Sequence, residues 1–164
     1  MTDSKAIMEK AIELSKRDNL SLIVFGRSLG GASSINTLSQ PTFKYAAKGL
    51  ILENTFTSIK DVAWNLTPKP LSFLYPLIWL VTAGSYSSVS KIHNVHIPIL
   101  FIKGCKDELI PKVQMDKLHN VYQGLKRENF DLEVRAGTHN DTWIRGGEDY
   151  FLKMKEFMEY CSKL

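Results

Sequence analysis

Apolar and polar positions change rhythm several times along this chain of 164 residues. Ala6, Ile7, Ala11, Ile12 and Leu14 fall near helical spacing, with Lys5, Glu9, Lys10 and Lys16 on the other side. With Asp3 or Ser4 as cap, this pattern predicts a first helix that ends before the Asp18-Asn19 turn. Leu20–Phe25 then forms a short apolar run, the length of a strand buried on both faces. It breaks at Gly26-Arg27-Ser28-Leu29-Gly30-Gly31-Ala32, after which helix can continue to about Leu38. Gly49–Glu53, Ile97–Gly104 and Phe130–Arg135 are three more strand candidates, with Pro98 tolerable only near a strand's start. Helices are predicted over Pro111–Gly124 and Asp141–Cys161, with Asp141 as the last one's N-cap. That last helix would turn Trp143, Ile144, Tyr150, Phe151, Met154, Phe157 and Met158 toward a core.

Strands alternating with helices predict an α/β fold, a parallel sheet of about four strands flanked by helices on both faces. The stretch 55–96 departs from that rhythm. It is rich in Trp, Tyr, Phe, Leu, Ser and Pro and too long for a simple connection. The expectation is a lid of short helices over the carboxyl end of the sheet, inserted into one domain spanning 1–164. Its aromatics Trp64, Phe73, Tyr75 and Trp79 would line an acyl pocket, lie on a lipid surface or simply pack as the lid's own core.

Composition narrows the field. With 44% hydrophobic and 23% charged residues the chain is neither disordered nor fibrous. The net charge of +4 is scattered rather than gathered into a stripe, so no nucleic-acid partner is expected. Cys105 and Cys161 lie far apart outside any Cys/His cluster, so neither a disulfide framework nor a zinc site is expected. The longest apolar run, Leu71 to Gly84, is interrupted by Ser72, Pro76 and Thr82 and falls short of the roughly 20 residues a membrane span needs. As written, the chain reads as soluble.

Chemistry enters at Gly26-x-Ser28-x-Gly30, placed between a buried strand and a helix. A serine hydroxyl is a poor nucleophile unless lifted onto a sharp strand-to-helix turn, and a side chain at 26 or 30 is expected to collide with neighbouring elements there. The backbone N–H of Leu29, at the start of the helix, can face a developing oxyanion. Asp107 follows the third strand and His139 the fourth, giving the order Ser, Asp, His. His139 would take the Ser28 proton and Asp107 would hold the imidazole in the right tautomer. Glu53, also just past a strand, is the second choice of acid, with Glu108 behind it. His93, His96 and His119 are rival bases. Cys105 lacks an elbow and is expected to pack as a small hydrophobe. The chemistry calls on no metal and no cofactor.

Gly-Arg-Ser-Leu-Gly-Gly-Ala (26–32), Glu-Asn-Thr-Phe-Thr-Ser-Ile (53–59), Asp-Glu-Leu-Ile-Pro (107–111) and Gly-Thr-His-Asn-Asp-Thr-Trp (137–143) carry a resemblance over nearly the whole chain. It resembles the α/β-hydrolase domain-containing protein 13 family, in the serine-aminopeptidase-like branch of the α/β-hydrolases. The resemblance implies Ser28 as nucleophile, Asp107 as acid and His139 as base. It also implies an ester or thioester substrate, including an acylated protein, since protein depalmitoylases are among the nearest enzyme relatives. Family members are typically anchored by one N-terminal membrane helix. A complete α/β-hydrolase has about eight strands, so the chain is expected to be the carboxyl-terminal part of one, without the loop that supplies a second oxyanion N–H. The alternatives are a catalytically impaired hydrolase-like fragment, or a module binding lipid or a partner through its lid.

Overall fold

Four extended segments, β1 (Ile23–Arg27), β2 (Gly49–Glu53), β3 (Ile99–Gly104) and β4 (Asn129–Val134), pair side by side in that order, all parallel. The computed structural model describes residues 2–67, 70 and 87–164 of the chain. Its helices are α1 (Thr2–Asp18), α2 (Leu29–Leu38), α3 (Ile59–Leu66), α4 (Ser88–Lys91), α5 (Val113–Gln123) and α6 (Thr142–Ser162).

The two central strands are buried at every position, which is why they read as continuous apolar runs. Side chains alternate between the faces. Leu50, Leu52, Ile99 and Phe101 pack with Ile35 and Leu38 of α2, Met115, Leu118 and Tyr122 of α5, and Met8 of α1. Ile51, Leu100 and Ile102 point the other way, onto Tyr150, Phe157 and Cys161 of α6. Each such fully buried Leu, Ile or Phe contributes about 1.5–3 kcal/mol of hydrophobic stabilisation. Because α2 and α5 both bridge successive parallel strands on one face, and α6 covers the other, the ends of β1, β3 and β4 emerge along one rim. All three predicted chemical side chains follow those ends.

Two sequence expectations need correction. The first strand is Ile23–Arg27, not Leu20–Phe25. Leu20 is exposed and its N–H closes onto Ser15 O at the end of α1, while the polar Arg27 extends the strand on the sheet's outer edge. In α6 only Tyr150 and Phe157 of the predicted core residues are buried, with Met154 packed against them. Trp143 (47%), Ile144 (58%), Phe151 (56%) and Met158 (41%) stay exposed. Gly147 is the reason for part of this: at φ 51° and ψ −135° it kinks the helix and resets its phase, so one stripe cannot run the whole length.

Of the predicted lid, 55–67, 70 and 87–96 are described. Ser58 caps α3, its Oγ accepting from Asp61 N–H at 3.1 Å, and pairs antiparallel with Ser87 across the insertion. Phe73, Tyr75 and Trp79 lie outside the described residues, and the side chain of Trp64 is not described either.

Candidate active site

Ser28 is the single residue between β1 and α2, and its backbone sits at φ 52° and ψ −122°. A non-glycine residue held there costs of order 1–3 kcal/mol and persists only where its surroundings impose it. They do so through its backbone: Ser28 N–H donates to Glu53 O (2.9 Å), while Ser28 O accepts from Thr55 Oγ1 (2.6 Å), Gly31 N–H (3.0 Å) and Ala32 N–H (3.4 Å). A Cβ at Gly26 would stand 2.7 Å from Gly31 Cα, and one at Gly31 would stand 2.6 Å from Thr55 Cβ. Position 30 was expected to be equally tight and is not, since a Cβ there would meet nothing within 4 Å. The close packing that the turn demands falls on Gly26 and Gly31, whereas Gly30 faces the open side of β1.

Asp107 lies in the loop after β3, buried, with Oδ1 accepting from the backbone N–H groups of Leu109 (2.9 Å) and Ile110 (2.8 Å). Its Oδ2 is 2.7 Å from Nδ1 of His139, in the loop after β4, and His139 Nε2 is 3.1 Å from Ser28 Oγ. An ionised carboxylate only accepts, so Nδ1 carries the proton it donates to Asp107. In that tautomer Nε2 turns a bare lone pair to the Ser28 hydroxyl. His139 and Asp107 are buried and Ser28 is half-buried, so the pair sits away from water while the hydroxyl stays reachable. Leu29 opens α2, and its N–H belongs to the first turn, where backbone donors have no partner within the helix.

The structure separates the rivals. Glu53 points to the α6 side, where Tyr150 OH donates to Oε2 at 2.5 Å, and burial raises its carboxyl above the ordinary range. Glu108 is exposed. His93 and His96 precede β3, and His119 on α5 is bonded to Lys103 and Asn129. The Cys105 thiol is half-buried and pushed up, first by burial and then by the negative charge of Glu133. Asp141 does stand at the N-cap of α6, but its side chain makes no cap bond to the helix. It accepts from Arg145 Nε (2.9 Å) and, turning back, from Thr138 N–H (2.7 Å) and Thr138 Oγ1 (2.8 Å), which hold its carboxyl at about 2. Asp141 therefore fastens the loop that presents His139.

Sequence reasoning passed over Asn54 and Thr142, both buried and bonded to these loops. The available signal was an Asn-Thr pair directly after an apolar strand, where an uncompensated polar group would be costly. Among the described residues no group of three or more His, Cys, Asp or Glu side chains is arranged to hold a metal ion, and no helix is long and apolar enough to cross a membrane.

No family model matches the chain. Individual relatives do. The α/β-hydrolase domain-containing protein WAV2 of Arabidopsis thaliana is 32% identical over 165 residues, covering 96% of this chain and 53% of the relative. An uncharacterized membrane protein of Saccharomyces cerevisiae is 35% identical over 139 residues, covering 84% of this chain and 45% of its own. The chain thus spans about half the length of the curated relatives it matches. Among solved structures, a truncated carbohydrate esterase from gut microbiota superposes with a TM-score of 0.71 over 99% of this chain and 68% of its own, at 16% identity. That likeness is one of fold.

Proposed function

Since this chain belongs to the α/β-hydrolase domain-containing proteins, we propose that it carries the catalytic triad of a serine hydrolase, with Ser28 as nucleophile, His139 as general base and Asp107 as the acid that orients it. The observation that supports this reading is the unbroken line Asp107 Oδ2, His139 Nδ1, His139 Nε2, Ser28 Oγ, with contacts of 2.7 and 3.1 Å.

The chemistry follows from that line. Ser28 Oγ attacks the substrate acyl carbon as its proton passes to His139 Nε2, and the imidazolium so formed lies against the Asp107 carboxylate. The carbonyl oxygen becomes an oxyanion facing the Leu29 N–H. Collapse breaks the bond to the leaving group, which takes the proton from Nε2 and leaves an ester on Ser28. Water, deprotonated by the same Nε2, releases the acid. No step calls on a metal or cofactor. The substrate class is an ester or thioester, an acylated protein included, with an amide as the harder variant. The membrane protein among the relatives agrees with a full-length protein held at a membrane. A second reading, an impaired hydrolase, turns on the oxyanion site, to which the elbow itself contributes the Leu29 N–H; each such donor is worth a factor of about 10²–10³ in turnover.

A fluorophosphonate probe tests the assignment. Wild type should label at Ser28, Ser28→Ala should not label, and Asp107→Asn should react slower by a factor on the order of 10³–10⁴. Glu53→Gln should leave the rate within a few-fold. Labelling that survives Ser28→Ala removes Ser28 from its role, and a Glu53→Gln loss larger than that of Asp107→Asn transfers the acid role to Glu53. A folded wild type that labels only 10²- to 10³-fold slower than a complete serine hydrolase is the impaired enzyme.

A further inference from the structure

Residues 53–55 form the exit of the central strand β2, and between them they bond to all three loops of the site. Glu53 and Thr55 hold Ser28 from both sides, as described above. Asn54 does something different. It is 1% exposed, sits at φ 46°, a left-handed conformation that Asn tolerates better than most residues, and uses both ends of its carboxamide. Oδ1 accepts from Gly104 N–H at 2.8 Å, on the last residue of β3, three positions before Asp107. Nδ2 is 2.8 Å from Thr142 Oγ1, 3.2 Å from Thr138 O and 3.4 Å from His139 O. Thr142 Oγ1 spends its own proton on Thr138 O at 2.7 Å, so it can only accept from Asn54. The amide is therefore orientated uniquely, oxygen to the acid's strand and nitrogen to the base's loop. A Cβ at Gly104 would stand 2.7 Å from Thr142 Oγ1, which leaves the two segments no room to approach further.

We propose that Asn54 is a positioning residue for the triad: its buried carboxamide fixes the separation of the Asp107 and His139 loops, and Thr142 completes the link. The inference rests on the reading of Ser28, Asp107 and His139 given above. Contacts of 2.7 and 3.1 Å allow the imidazole little play, and a displacement approaching 1 Å is worth about 10²-fold in rate. A residue that merely stabilised the fold would lower the melting temperature and leave the reactivity of the folded fraction alone.

Two substitutions separate these roles. Asn54→Asp keeps size, backbone preference and the acceptor for Gly104, but sets an oxygen against the carbonyls of Thr138 and His139. Asn54→Gly relaxes the backbone and deletes the link. Both should slow phosphonylation of Ser28 by about 10- to 100-fold, measured well below the melting temperature. Both should also shift or abolish the low-field proton signal of His139 Nδ1 in the ¹⁵N-histidine-labelled chain. Thr142→Val should show the same losses in weaker form, and Thr142→Ser should reverse them. Lys103→Met, destabilised but remote in role, controls for stability and should label at the wild-type rate. Wild-type labelling rates, pH profile and Nδ1 proton signal in folded Asn54→Asp and Asn54→Gly would overturn the proposal. If wild type itself fails to label at Ser28, the nucleophile assignment falls, and the Nδ1 proton still decides: lost in Asn54→Asp it supports Asn54 as the link, unchanged it refutes it.

Discussion

The outer strands of the sheet, β1 and β4, meet their surroundings in opposite ways. On β4, Asp131 and Glu133 face Lys103, which reaches across from β3 and is 3% exposed. Its Nζ lies 2.7 Å from Asp131, 3.2 Å from Asp116 on α5 and 3.9 Å from Glu133, while Lys112 stands 2.7 Å from Glu133 and 3.0 Å from Asp116. His119 joins this network with Nδ1 3.1 Å from Lys103 Nζ and Nε2 2.9 Å from Asn129 Oδ1. An ammonium only donates, so Nδ1 accepts from Lys103 and the Nε2 proton points to Asn129 Oδ1. Along β1, by contrast, Phe25 is 48% exposed and a groove of about 390 Å³ runs beside it, lined by Phe25, Trp143, Tyr150, Phe151 and Met154 with Glu53 and Arg27. A second groove of about 340 Å³ follows the other face past Leu22, Val24 and Ile7. A charged, network-bound edge is built to face water and resist pairing, whereas an apolar one gains free energy on being covered. Ser28 follows the apolar edge and His139 follows the charged one, so the proposed triad bridges two kinds of surface.

The largest break in this contrast comes from Lys103→Met. Removing the cation takes the ammonium from Asp131 and leaves Asp116 and Glu133 to Lys112 alone, and losing one member of a buried pair costs about 3–5 kcal/mol. The carboxylates keep 32–46% of their side-chain exposure, which places the expected loss near 3 kcal/mol. Urea unfolding measures it. A loss under about 1 kcal/mol would mean the acids simply turn to solvent and the β4 network is no stronger than an ordinary surface.

The two edges should also answer pH with opposite sign. Burial raises Glu53 on the β1 side above 4.5, opposed in part by the Tyr150 bond and by Arg27, and its Oε1 has no partner among the described residues. The folded state then holds a proton that the unfolded chain has released, so this group's contribution falls as pH rises from 4.5 through the folded value. Near β4, burial acts upward on Asp116 too, but the bonds from Lys112 and Lys103 outweigh it and hold the group below 3.8. Its contribution is present above 3.8 and lost as pH falls through the folded value. Paired thermal melts of Glu53→Gln and Asp116→Asn against wild type check both. The Glu53→Gln advantage should grow from acid toward neutrality, and the Asp116→Asn penalty should shrink as pH drops. A pH-independent Glu53→Gln difference would place that carboxyl in the ordinary range.

How far the sequence could be read follows the same division. β2, β3 and β4 were legible because burial on both faces, or alternation on one, leaves a mark in hydrophobicity. Ser28, Asp107 and His139 could be picked out as candidates because a Ser-Asp-His triad would need those residue types just past strand ends, and the structure brings the three side chains together. The misreadings cluster toward β1. Leu20 looked like strand and is exposed, Gly30 looked crowded and is open, and Trp143 and Phe151 looked like core and line a groove. Apolar character records that a side chain gains from being covered without recording by what, and the phase reset at Gly147 has no hydrophobic signature. Asn54 and Thr142 were missed for another reason: a single buried amide becomes meaningful only once its partners, up to 88 positions away, are known.

Phe25→Lys carries the smallest expected change in stability and asks most directly whether the β1 edge is open. Phe25 pairs with Ile51 of β2 through the backbone, and that ladder does not depend on the side chain. With about half of Phe25 already in water, the substitution should cost roughly 0.5 kcal/mol in urea unfolding, a surface-sized effect. Its larger consequence is for association. A lysine on an edge strand must be desolvated before another strand can pair there, so concentration-dependent self-association and binding of a hydrophobic dye should both fall. Sedimentation velocity over a concentration series reads the first and fluorescence the second. A stability loss above about 2 kcal/mol would show that Phe25 is held by packing like a core residue, and the distinction between the two edges would disappear.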